Sequence, residues 1–173
     1  RRGDLLGVAV LSVPVRREVL TLPFPELEPF GESLELGRFV LADRVTADPA
    51  KAADGADLVV LCTPLSAYAD IARAIGPKLK RGAIVTDVGS VKGSALRDVL
   101  PHLPAGVAFV PGHPVAGTEH SGPEAGFAEL FQDRWCILTP TPETDAKAVK
   151  RVAELWRRVG SKVMNSRIAR NET

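Results

Sequence analysis

The chain has 173 residues, 22 Lys and Arg against 21 Asp and Glu, and a formal net charge of +1 at pH 7. That length supports one well-buried core, and 45% hydrophobic residues is the composition of a globular protein. With a near-neutral balance, 5% aromatic residues and no basic stripe, nucleic acid is not an expected partner. The early apolar run "LLGVAVLSVPV" is too short to span a membrane, follows Asp4, and ends without a small-residue cleavage site. Neither a membrane partner nor export is therefore expected. Pro23, Pro25 and Pro29 interrupt the rest of the first forty residues, where neither a strand nor a helix period persists. The text changes character between Gly37 and Leu41. Residues 1–40 read as an atypical segment set before a domain that starts at 41.

From Asp57 the pattern is regular. "DLVVLC" is a continuous apolar run of the kind that forms a strand buried on both faces. "SAYADIARAIGPKLK" places Tyr68, Ile71, Ile75 and Leu79 at helical spacing behind Ser66, a candidate N-cap. "GAIVTD" predicts a second buried strand, and "KGSALRDVLPHL" a helix with Ser94, Leu96, Val99 and Leu100 on its apolar face. "VAFVP" predicts a third strand. An irregular stretch, "GHPVAGTEHSGPEAG", holds two of the three histidines and no hydrophobic period. A short helix around "PEAGFAELF" follows, then a strand in "WCILTP" and a helix in "ETDAKAVKRVAELWRRVG". That last helix lines up Ala148, Val152, Leu155 and Val159, with Gly160 at its C-cap. Cys62 and Cys136 lie in apolar runs and read as buried thiols, without a disulfide, in a reducing cytoplasm. Core packing accounts for Trp135 and Trp156.

Strands alternating with helices through short connections predict an α/β fold: a Rossmann-like, mostly parallel sheet with helices on both faces. Ligands of such sheets bind outside the carboxyl ends of the strands. The residues that fall there are Thr63-Pro64, Val88-Gly89-Ser90 and Gly112-His113. His113, fixed between Gly112 and Pro114, is thus a candidate proton acceptor at the ligand edge. Ser90 has two readings, an N-cap or a group that holds a ligand or a histidine, and Lys92 has the charge to meet an anion. His120 has the setting of a surface residue, and His102 that of a helix-end partner or an idle residue. No metal is expected, because the cysteines and histidines are not grouped at ligand spacing. No G-x-G-x-x-G fingerprint is found: Gly3 and Gly7 have the wrong spacing and a proline-interrupted stretch follows them.

"ADLVVLCTPL", "IVTDVGSVKG", "FVPGHPVAGTEHSGPEAG" and "ELFQDRWCILTP", in this order and spacing, resemble the nucleotide-binding domain of prephenate dehydrogenase and its arogenate-using relatives. The likeness runs from Leu41 to Val163. It implies NAD or NADP as cofactor, prephenate or arogenate as substrate, and oxidative decarboxylation of prephenate to 4-hydroxyphenylpyruvate in tyrosine biosynthesis. It implies that His113 takes the proton of the ring hydroxyl, and that Ser90 orients the histidine beside the nicotinamide. Thr63 and Pro64 match the turn that lines the cofactor, and Thr118, Glu119 and Ser121 the loop bordering the substrate.

The ends depart from the family pattern. The first mononucleotide half is incomplete, and 164–173 is a tail where the family continues into a helical domain that makes the homodimer. An incomplete form of the enzyme is the expectation, through truncation or a frame change at both ends. The rivals are an inactive fragment or binding module that keeps the fold, and a dehydrogenase of the 3-hydroxyacid type. If nothing pairs with the "DLVVLC" strand, its open edge predicts self-association.

Overall fold

The computed structural model describes residues 7–12, 17–21, 44–46, 48–117 and 129–166. In chain order these form β1 (Gly7–Ser12), β2 (Arg17–Thr21), β3 (Arg44–Thr46), α1 (Pro49–Ala53), β4 (Leu58–Cys62), α2 (Tyr68–Ile75) and β5 (Ile84–Asp87). Then come α3 (Lys92–Val99), β6 (Ala108–Val110), β7 (Gly112–Pro114), β8 (Trp135–Leu138), α4 (Ala146–Arg158) and β9 (Lys162–Asn165). The main sheet has the order β3-β2-β1-β4-β5-β6, and a smaller one the order β7-β8-β9.

The parallel, doubly covered centre follows from the apolar runs. β4 pairs with β5 and β5 with β6, all parallel, and every residue of β5 is buried. Alternate residues of each strand feed different cores, as the two-residue strand period requires. Val59, Leu61, Val85 and Phe109 join α1, α2 and α3 on one face, through Ala53, Tyr68, Ala72, Ile75 and Val99. Leu58, Ile84 and Val110 meet α4 on the other, through Ala148, Val152, Ala153 and Trp156. Phe131 closes that second core against Trp156, ring edge to face at 5.2 Å. Local chemistry sets the helix ends. Asp48 caps α1 by accepting from Ala50 and Lys51, Asp145 caps α4 by accepting from Lys147, and Gly160 turns the chain beyond α4 at φ +90°.

Several sequence expectations need correction. The first forty residues are not without strands: β1 and β2 form there, and β1 pairs antiparallel with both β2 and β4. The β4 edge is therefore covered, and the condition for self-association through it is not met. "GHP" is a short strand paired with β8, not irregular chain. Ser66 is not the α2 cap: a 3-10 turn, Leu65–Ala67, leads into that helix instead. Cys62 is exposed, because the last residue of β4 reaches the open end of the sheet, whereas Cys136 is buried and neither forms a disulfide. Trp156 is a core residue, but Trp135 is 48% exposed on the side of the small sheet that α4 does not cover. Val159 and Leu100 are also exposed, each just past the end of its helix, where the chain has left the packed face. The expected helix in "PEAGFAELF" falls mostly outside the described residues.

Because β1 separates β4 from β2, a proline in it should reopen the β4 edge, since proline removes a ladder donor. Val10→Pro is expected to shift the chain from monomer to larger species in light-scattering chromatography. A monomer peak unchanged by the substitution would show that β1 does not protect that edge.

Candidate active site

The three parallel strands end together, so their last residues and the turns beyond share one edge of the sheet. At the end of β5 lies Asp87, fully buried. A buried carboxylate is costly unless hydrogen-bonded and paired with a cation. Asp87 has both. Its Oδ2 accepts from Tyr68 Oη at 3.1 Å, from the Gly89 N–H at 3.0 Å and from Lys92 Nζ at 2.5 Å. Its Oδ1 accepts from the Gly112 N–H at 3.1 Å. Lys92, the first residue of α3, also donates to the Gly112 carbonyl at 2.6 Å.

One carboxylate thus ties together the start of α2, the end of β5, the start of α3 and β7. Two glycines make room for it. A Cβ on Gly112 would lie 2.9 Å from the Asp87 carbonyl oxygen, and one on Gly89 would lie 2.9 Å from Tyr68 Oη and 3.1 Å from Asp87 Oδ2. Neither glycine has a positive φ, so close approach, not backbone conformation, requires them. Burial, then the Asp87 charge, pushes the Tyr68 phenol well above its usual range. Burial also pulls the Lys92 ammonium below its usual value, with Asp87 opposing.

His113 sits in the middle of β7, opposite Ile137 of β8. The ring is half-buried, and its Nδ1 is enclosed without a hydrogen-bond partner. Opposite Pro114 on β8, burial raises the Cys136 thiol to about 12, while a backbone hydrogen bond from His113 and the Lys92 charge act the other way. Ser90 lies exposed in the turn between β5 and α3. Among the described residues, no hydrogen bond joins its hydroxyl to the His113 ring. Thr63 is buried just past β4 with its Oγ1 unpartnered, and Pro64 beside it is exposed. Thr118, Glu119, His120 and Ser121 lie outside the described residues.

Sequence reasoning brought Thr63, Pro64, Ser90 and His113 to this edge, but it missed Asp87 and Tyr68. The available signal was an acid at a buried strand end, five positions before a lysine in "TDVGSVK". A cavity of about 680 Å³ lies elsewhere, at the amino ends of β5 and β6 against the start of α4. Ligands of parallel sheets bind at the opposite ends of the strands, so the Asp87 edge is the candidate site.

Residues suited to a nicotinamide are present on this edge: an unpartnered buried hydroxyl on Thr63, an exposed one on Ser90, and an imidazole on His113. The pyrophosphate end is different. Because β1 runs antiparallel to β4, with Gly7 opposite Cys62, its carboxyl end lies away from this edge. Among the described residues, β1 therefore brings no strand-to-helix turn to the phosphate position.

Fold and site together define an α/β domain of the dinucleotide-binding type. Residues 31–165 match the prephenate dehydrogenase nucleotide-binding domain, and the chain belongs to that family of oxidoreductases. It is 46% identical over 123 residues to a cyclohexadienyl dehydrogenase of Zymomonas mobilis, covering 71% of this chain and 42% of that protein. It is similar to the structure of Aquifex aeolicus prephenate dehydrogenase in complex with hydroxyphenyl propionate and NAD+. That match has a TM-score of 0.70 and 37% identity, over 82% of this chain and 49% of that one. Synechocystis arogenate dehydrogenase gives a TM-score of 0.63 and 28% identity, over 73% and 44%. The chain spans less than half the length of each of these proteins. No helix among the described residues is long and apolar enough to cross a membrane.

Tyr68 is the only tyrosine, so its phenol can be titrated alone. An unfolded tyrosine ionises near about pH 10, and the buried one keeps its proton above that. The folded state then binds more protons than the unfolded one. Stability conferred below about pH 10 is lost as pH rises from there, by up to ~1.4 kcal/mol per pH unit. Phenolate absorbance is expected to appear only together with loss of the circular-dichroism signal. An ordinary titration in a still-folded chain would mean that Tyr68 is open to solvent.

Proposed function

We propose that this domain serves an enzyme that oxidatively decarboxylates prephenate, or its amino analogue arogenate, to the aromatic product in tyrosine biosynthesis. The observation that carries the reading is the placement of His113. A half-buried imidazole whose Nδ1 has no hydrogen-bond partner stands on β7 beside the carboxyl end of β5, where a ligand of a parallel sheet belongs.

Thr63, Pro64 and Ser90 would hold the nicotinamide end of the cofactor, and Thr118, Glu119 and Ser121 would border the substrate. A nicotinamide held there would supply the acceptor for the hydride on the ring carbon that bears the hydroxyl. His113 takes the hydroxyl proton as the C–O bond gains double-bond character, which eases departure of the hydride. The ring carboxylate then leaves as CO2, and its bonding electrons complete the aromatic ring. Ser90 orients the histidine once substrate and cofactor close the site. NAD+ is supported by the Aquifex aeolicus complex, and NADP+ is the comparison arm of the test. The family's homodimer is proposed as the assembly.

In a chimera that supplies the flanking segments of the Zymomonas mobilis relative, His113→Ala should lower kcat by ~10²–10⁴-fold and change KM little. Ser90→Ala should be milder, because it orients the base without carrying the proton. Unchanged kcat in His113→Ala would remove the histidine from the mechanism.

The direction of β1 favours a second reading, a domain that keeps the fold without turnover. Charge-assisted hydrogen bonds are worth roughly 1.5–3 kcal/mol each, so lacking two at the pyrophosphate would weaken binding about a hundredfold to several thousandfold. Calorimetric titration of the chain with NAD+ and NADP+ is expected to show no binding tighter than about millimolar. Micromolar binding of either would show that a phosphate site is built outside the described residues, and would sink the second reading.

A further inference from the structure

Lys92 belongs to none of the roles above, yet among the described residues it is the cation paired with Asp87 at the centre of the edge. Only 10% of its side chain is exposed, and its ammonium spans two acceptors on different strands, the Asp87 carboxylate of β5 and the Gly112 carbonyl of β7. The Gly112 N–H meanwhile donates to the other oxygen of Asp87. Gly112 is therefore gripped on both sides. Its carbonyl is half of the peptide plane whose nitrogen belongs to His113, so Lys92 holds the carbonyl side of the plane from which the histidine leaves the strand, while the His113 backbone bonds toward Cys136 on the other. The ring contributes nothing to its own orientation from Nδ1, which has no protein partner.

A buried ion pair adds little net stability compared with apolar packing, although breaking one is costly. Stability alone thus gives weak reason for a lysine here. Geometry gives a stronger one. A compact ammonium with three rotatable donors satisfies two acceptors on different strands, which a planar guanidinium does less readily. The missing Cβ of Gly112 lets β7 approach the end of β5 closely enough for the grip to close.

We infer that Lys92, seated on Asp87, is a positioning residue that holds the Gly112–His113 peptide and so aims the His113 imidazole across the ligand edge. This rests on the reading of His113 as the base. The test needs no turnover, so an inactive protein would sink that reading and leave the result on Lys92 intact.

The test uses the isotope-labelled chain. Amide hydrogen exchange is measured at Gly112 and, for reference, at Val152 and Ala153 in α4, together with the tautomer ratio of the His113 imidazole by NMR. In Lys92→Met, exchange at Gly112 is expected to accelerate about tenfold or more relative to α4, and the tautomer ratio to change. Tyr68→Phe removes a different donor from Asp87 and touches neither the Gly112 carbonyl nor His113, so it should leave both readouts as in the parent. If Lys92→Met does not fold, Lys92→Arg carries the test and should show the same acceleration at Gly112 to a smaller degree. Unchanged Gly112 exchange in the variant that folds would overturn the inference. So would equal loss of protection in α4, or an equal effect from Tyr68→Phe.

Discussion

A single negative charge is taken out of water at the end of β5, and much of the edge is arranged to keep it there. Asp87 has no solvent, so every lone pair it uses must be met by protein. The donors come from four places: the phenol at the start of α2, the backbone of the turn, the ammonium at the start of α3, and the backbone of β7. Each fixes an element that the apolar cores leave free to slide. Hydrophobic packing decides that α2 and α3 cover the same face of the sheet, but it is tolerant of small shifts along the strands. Hydrogen bonds to a buried charge are not. The glycines at 89 and 112 are consequences of this grip, because side chains there would meet Tyr68 and the Asp87 backbone.

The middle of the fold was legible because its physics is written in composition. Strands buried on both faces must be apolar throughout, and "DLVVLC" and "GAIVTD" are. Once the strands alternate with helices, handedness and short connections leave few topologies, and the ligand edge follows. That reasoning put Thr63, Pro64, Ser90 and His113 past the carboxyl ends of the strands without any contact being known. It read Lys92 as a partner for an anion. The anion is internal, a carboxylate five residues back, and spacing alone could not reveal that the side chain turns inward.

Pairing was less legible than period. β7 has three residues, one of them glycine and one proline, so nothing in its intrinsic preference marks a strand. It forms because β8 offers a ladder and Asp87 accepts the Gly112 N–H. β1 and β2 were missed for a related reason: prolines between and after them mask the alternation, and antiparallel pairing needs only a neighbouring edge. Trp135 and Cys62 show a third limit. An apolar pattern tells which residues share a face, but not whether another element covers that face or the strand end stays open.

The two demands on β4 can be met by different strands, and that separates stability from cofactor binding. To be protected, the β4 edge needs any backbone that runs along it in register, in either direction, since both kinds of ladder satisfy its N–H and C=O groups. To hold a pyrophosphate on the same side as Thr63 and Ser90, the neighbour must run parallel, because only then does its carboxyl end, and the helix that follows, arrive at that edge. β1 meets the first demand and not the second, since Gly7 rather than Ser12 stands opposite Cys62. The hydrogen bonds that complete the sheet therefore carry no information about the cofactor. The Asp87 grip on β7 is independent of β1 altogether, so the aim of His113 persists whichever way the neighbouring strand runs. In this domain the pairing that covers the β4 edge and the hydrogen bonds that tie β7 to β5 are separate interactions.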